Sequence, residues 1–190
     1  MEIRVVRPDE HGPVGELVVE AYEAIDPIGL GDYADELRDV GGRSTSADVL
    51  VAVDDDGTLL GTVTYVPGPA SSSAEFTDAD AAGIRMLAVA PKAQGRGVGQ
   101  ALVEACLARA RAAGRAQLLL HTTDWMTTAH GLYGRLGFVR DPSIDWQPDR
   151  DEIDAAFWLR GFRLRLNGVS PVSPIAPVSP VEQETAHRAR

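Results

Sequence analysis

The chain has 190 residues, is 44% hydrophobic and 24% charged, and carries a formal net charge of -10. That balance belongs to a globular protein large enough to bury a core without staples, as one domain or one domain plus a tail. So acidic a chain lacks the basic face that general nucleic-acid binding requires, and its field favours cationic partners.

The N-terminal MEIRVVRPDE has no apolar leader core, and no run approaches the ~20 residues of a membrane span, so a cytoplasmic protein with no membrane partner is expected. Ile3 and Val5 alternate with polar neighbours and predict a strand over 2–7. Pro8-Asp9 ends it, and Val14, Leu17, Val18, Ala21, Tyr22 and Ile25 follow at helical spacing. A loop with Pro27, Gly29 and Gly31 leads to a second helix in which Tyr33, Leu37 and Val40 share a face, with Gly41-Gly42 as its stop. Two β-rich runs over 49–66 flank Asp56-Gly57 and predict a hairpin. Residues 67–82, rich in Pro, Ser, Ala and Asp, read as a loop, and 84–91 as an apolar strand closed by Pro91.

A helix follows, starting near Gly97 to Gly99 and running to a cap at Gly114. Cys106, the only cysteine, lies in its apolar pattern; no intrachain disulfide can form, and a buried structural thiol is expected. AQLLLHTT reads as a strand and 127–137 as a short helix with Ala129, Leu132, Tyr133 and Leu136 on one face. Phe138-Val139 opens another strand, and Phe162, Leu164 and Leu166 alternate with arginines in a last one. Residues 167–190 contain three Val-Ser-Pro units and read as an extended or disordered tail. The order is a mixed α/β domain over 1–166 plus that tail.

The stretch QGRGVG, residues 94–99, lies where a strand hands over to a helix. Amides at a helix start have no intrahelical partner and the helix dipole is positive there, so the place suits a phosphate. Glycines let a phosphate come close to the backbone, and Lys92 and Arg96 add charge. By itself a short glycine loop is as well read as a plain turn, and it fits neither the Walker nor the dinucleotide spacing.

The flanking residues add to this. MLAVAPKAQGRGVGQALVE resembles the acetyl-CoA motif of the Gcn5-related N-acetyltransferases, with Gln94, Gly97 and Gly99 on the motif positions. AHGLYGRLGF is similar to a second signature of that family at Ala129, Leu132, Tyr133, Gly137 and Phe138. The resemblance covers about 1–166 and implies that family's fold, a central mixed and mostly antiparallel sheet flanked by helices. It implies a pyrophosphate site on the backbone of Gly95, Arg96, Gly97, Val98, Gly99 and Gln100, beside Gln94. It also implies that Leu87, Ala88 and Val89 pair with the pantetheine arm like an added strand. Acetyl-CoA is then the cosubstrate, and no metal is expected. Dimers are common in the family, and a homodimer enters the expectations on that ground.

Acetyl transfer to an amine needs a neutral amine, reactants held together, donors for the oxyanion and a proton for the leaving thiolate. The resemblance makes Tyr133 the acid, since its position in the family motif faces the sulfur and an ordinary tyrosine remains protonated at neutral pH. Periodicity alone makes it a core aromatic. His121, at the end of its strand and twelve residues before Tyr133, falls where some relatives place a glutamate base, and it has suitable chemistry for a base or for holding a water. It is also readable as a structural histidine.

Glu75, Asp78 and Asp80 are acids of the loop before the cofactor strand, readable as a solvated surface or as groups over the site. Tyr33, Asp32 and Asp35 fall in the region 25–42, where this fold shapes its acceptor pocket. Trp125, Trp146 and Trp158 read as packing or as pocket wall, and the acidic connection 141–154 as a solvated loop or a cation contact. Two departures stand out: Met126 where many relatives carry asparagine, and a neutral Ala81-Ala82-Gly83 where some carry a carboxylate. The expected activity is acetylation of a primary amine on a small molecule or peptide, cationic by the charge argument. The rival is an acyl-CoA-binding sensor without turnover.

Overall fold

A computed structural model describes residues 1–25, 29–147 and 158–166. The tail 167–190, residues 148–157 with the latter part of the acidic connection, and Pro27 lie outside the described residues. The sheet has seven strands in the order β1-β2-β3-β4-β5-β7-β6. They are β1 (Glu2–Val5), β2 (Asp48–Val53), β3 (Leu59–Val66), β4 (Ala81–Val89), β5 (Gln117–Thr122), β6 (Val139–Arg140) and β7 (Arg160–Arg165). Only β4 and β5 pair in parallel; every other neighbouring pair is antiparallel. The predicted mixed, mostly antiparallel sheet is therefore the observed one.

The helices are α1 (His11–Glu23), α2 (Tyr33–Arg38), α3 (Val40–Arg43), α4 (Val98–Ala112) and α5 (Thr127–Arg135). The second predicted helix is broken in two. Asp39 adopts a non-helical backbone between the pieces, and its carboxylate accepts from the Gly42 amide. Gly41 and Gly42 thus lie inside α3 and do not stop a helix. The hairpin turn is as predicted: Gly57 has φ +81°, and Asp54 accepts from the amides of Asp56 and Thr58.

Two apolar layers sandwich the middle of the sheet. On one face α4 buries Val98, Leu102, Val103, Cys106 and Leu107 against Leu50, Ala82, Ile84, Leu118 and Leu120, with Tyr133 and Phe138 joining from the α5 side. On the other face α1 and α2 bury Val18, Val19 and Leu37 against Met86 and Ala88. Strand alternation then assigns Gly83, Arg85, Leu119 and His121 to the α1 face.

β4 changes phase in its middle. Thr62 opposes Ala88 while Thr64 opposes Arg85, so β4 carries one extra residue there. Met86 absorbs it with φ +51°, the only described non-glycine residue at positive φ. Beyond this bulge β4 bends from its parallel neighbour. Pairing with β5 ends at Ile84 and Leu120, although β4 continues to Val89 and β5 to Thr122.

Candidate active site

The bulge produces a fork. Ala90 donates its amide to the Leu60 carbonyl, so that residue faces β3. By alternation Ala88 does too, and the amides and carbonyls of Leu87 and Val89 face the gap left by β5. Leu87 and Val89 are thus free to pair with an extended molecule lying in the fork, while Ala88 is turned to β3.

At the far end of β4, a 3-10 turn over Pro91–Ala93 leads into the glycine loop. Gln94, Gly95, Arg96 and Gly97 are all exposed. Gly95 and Gly97 have φ +74° and +79°, and a Cβ built on either would meet no atom within 4 Å. The left-handed backbone requires glycine, and the open space lets a ligand approach it. Gly97 is the residue before α4, and the first helical bond runs from the Ala101 amide to the Gly97 carbonyl. The amides of Val98, Gly99 and Gln100 are therefore those a helix start leaves for a ligand. Val98 buries its side chain, and Gln100 turns its own outward to Glu104, 2.9 Å away. A Cβ on Gly99 would lie 3.4 Å from Leu132 and 3.5 Å from Val89, so α4, β4 and α5 converge at this point.

Tyr133, on α5, is 5% exposed and packs its ring 5.7 Å from Phe138 and 6.4 Å from Phe162. Burial pushes its hydroxyl far above the ordinary tyrosine value.

His121 is held from two sides. Its Nδ1 lies 3.1 Å from Glu75 Oε2, and its Nε2 lies 2.8 Å from the Ile144 carbonyl oxygen. Both neighbours are acceptors, so a singly protonated ring satisfies one of them at a time. Trp146 stands edge-on to the ring with centroids 6.2 Å apart. Glu75 also reaches across to Arg85, 2.7 Å away, and Arg85 donates to Glu36 of α2 at 2.9 Å. Tyr22 belongs to this neighbourhood: burial first, then the adjacent Tyr33 and Tyr133, raise its hydroxyl well above the usual value. Its ring meets Tyr33 at 6.3 Å.

The other candidates lie apart. Asp78 binds the Asp80 amide and the Gln117 side chain at the start of β4 and β5, at the opposite end from the fork. Trp158 is 41% exposed. Met126 accepts from the Thr122 hydroxyl at 3.4 Å, which occupies it within the protein. Among the described residues no group of His, Cys, Asp and Glu could hold a metal ion, and no helix is long and apolar enough to cross a membrane.

A sequence profile described as "Acetyltransferase (GNAT) family" matches residues 14–138. The chain belongs to the GNAT acetyltransferase family. No curated protein matches it. Solved structures agree on the fold. A ribosomal-protein-alanine N-acetyltransferase from Brucella melitensis is 19% identical with a TM-score of 0.65, covering 87% of this chain and 100% of that one. A GNAT acetyltransferase from Brucella melitensis in complex with acetyl-CoA is 22% identical with a TM-score of 0.58, covering 90% of each chain. A Gcn5-related N-acetyltransferase from Kribbella flavida is 23% identical with a TM-score of 0.60, covering 87% and 97%. Family membership makes this GNAT protein an acyltransferase. Tyr22 and Arg85 are neighbours of the His121–Glu75 cluster that sequence reasoning did not single out. Nothing local marks either, since Tyr22 continues an apolar helix face and Arg85 is one cation in an apolar strand.

Proposed function

We propose that this GNAT protein transfers acetyl from acetyl-CoA directly to a primary amine of a small molecule or peptide. The observation that carries this is the convergence of three elements. An open glycine loop with helix-start amides, a fork with strand edges on Leu87 and Val89, and α5, the helix that carries Tyr133, converge at Gly99, where a Cβ would lie 3.4 Å from Leu132 and 3.5 Å from Val89. The catalytic unit is the domain 1–166, and the cytoplasmic, metal-free enzyme expected from the sequence remains part of this reading.

Acetyl-CoA supplies the acyl thioester, whose C–S bond breaks as the N–C bond to the amine forms. The protein's residues do the rest. Amides of 95–100, beside Gln94 and Arg96, hold the pyrophosphate; Leu87 and Val89 pair with the pantetheine arm, and Ala88 keeps that edge in register through β3. An amide at the fork donates to the thioester carbonyl oxygen. Tyr133 gives its proton to the departing sulfur, and its burial keeps that proton in place through alkaline pH. On the other side of the fork the amine loses its proton to water held beside His121, whose own nitrogens are both engaged. The formal net charge of -10 supports a cationic acceptor.

Calorimetry with acetyl-CoA, followed by thiol release against a panel of polyamines, amino acids and peptides with free N-termini, tests this. Binding with amine-dependent release is the expected outcome. Binding without release from any amine would turn the reading toward an acyl-CoA sensor, and absence of binding would remove the glycine-loop assignment.

A further inference from the structure

The last paired residues of β4 and β5 are Ile84 and Leu120. The next residue on each strand, Arg85 and His121, is therefore the first pair across the open fork, and both point to the α1 face. One side chain spans them. Glu75 places Oε1 2.7 Å from Arg85 and Oε2 3.1 Å from His121. It comes from neither strand, but from the 67–80 loop, and its side chain is only 16% exposed.

A second feature explains how the loop gets there. A Cβ on Gly83 would lie 2.5 Å from the Phe76 ring. The bare strand position is the seat of Phe76, and that seat brings the adjacent Glu75 down onto the fork. A third feature is a cavity of about 10 Å³ lined by Ser73, Glu75, Phe76, Gly83, Arg85 and His121, among others. That is room for the centre of one water molecule, among polar partners able to hold it.

We propose that Glu75 is a positioning residue for acetyl transfer: it orients His121 and one water on the acceptor side of the fork. The role rests on the acetyltransferase reading above. Arg85 and Glu36 extend the same bridge to α2, so the acceptor-side helix, the loop and both fork strands are tied through one carboxylate. A carboxylate is the stronger of the two acceptors facing His121, so the bridge places a proton on Nδ1.

The test uses the full chain and three variants: Glu75→Gln, Glu75→Ala and Gly83→Val, the last displacing Phe76 without touching a charge. The ring ¹⁵N signals of His121 report which nitrogen carries a proton. In the wild type Nδ1 is protonated; in Glu75→Ala that proton moves to Nε2, against Ile144. Acetyl-CoA affinity by calorimetry stays within about twofold in all three, while amine-dependent thiol release per folded molecule falls about 10- to 100-fold, the cost of an ångström-scale misplacement. Glu75→Gln retains more activity than Glu75→Ala, because its amide oxygen still accepts from Arg85 and its NH2 donates to Nδ1 once the His121 proton has moved to Nε2. The proposal is overturned if Glu75→Ala turns over at the wild-type rate, or if the His121 signals are unchanged by it. Absence of thiol release from the wild type would instead overturn the acetyltransferase reading, and the ring signals would still decide whether the bridge exists.

Discussion

In the proposed mechanism Gly97 and Tyr133 carry the two halves of the chemistry, and each can be tested alone. Gly97 has φ +79° in open space, so a side chain there meets no neighbour but forces a left-handed backbone on an L-residue. Gly97→Glu should cost about 1–2 kcal/mol of stability. It should also abolish acetyl-CoA binding, because it sets a carboxylate where the phosphates belong. Calorimetry beside a denaturant titration separates the two effects. Tyr133→Phe keeps the ring contacts with Phe138 and Phe162. We expect acetyl-CoA affinity near the wild-type value and a lowered kcat. A protein that melts early yet turns over normally per folded molecule would make Tyr133 a core residue only. The motif made Tyr133 and the glycines legible in the sequence. Glu75 was visible there only as one acid among three in a loop, because its partners Arg85 and His121 stand on two different strands. His121 lies 46 residues away from it.

Among the elements, β4 does most to shape the site. Its strand character, the hairpin before it and the helix after it could all be read from alternation, turn residues and periodicity. The fork could not. It depends on a one-residue bulge at Met86, and an extra residue leaves no mark in an apolar run such as IRMLAV. The break between α2 and α3 was hidden for a related reason: helical spacing continues through Asp39, while its side chain caps the next turn. The rear wall of the fork offers a test. A Cβ on Gly61 of β3 would lie 2.7 Å from the Ala88 carbonyl oxygen and 3.1 Å from Val98. Neither the strand backbone nor the start of α4 can yield without moving the site. Gly61→Ala should therefore destabilise the fold by roughly 1–3 kcal/mol and weaken acetyl-CoA binding together, measured by denaturant titration and calorimetry on one preparation.

Across the whole molecule, acidity sets how it responds to pH. Arg4 grips Glu10 with two bonds of 2.6 and 2.7 Å, and that hydrogen bonding lowers the Glu10 carboxyl to about 2. A depressed carboxylate contributes stability fully above its unfolded value and loses it as pH falls through the folded one. Glu10→Gln should thus be less stable than the wild type near neutrality, with the gap closing between about pH 4.5 and pH 2. Urea titrations at stepped pH would read this; a gap that stays constant to pH 2 would exclude the mechanism. The Arg160–Asp124 pair also lowers its carboxyl, but it stands at the surface, where salt screens it and substitution should change little.

The sheet's α4 layer also makes the molecule a convenient chemical clock. Its single sulfhydryl, Cys106, is 0% exposed, and burial pushes it up to about 12. Reagents that colour on meeting free thiols would therefore register released coenzyme and pass over the native enzyme. In denaturant the same reagents would label Cys106 only as fast as α4 lifts from the sheet, so one bottle of dye times both turnover and unfolding.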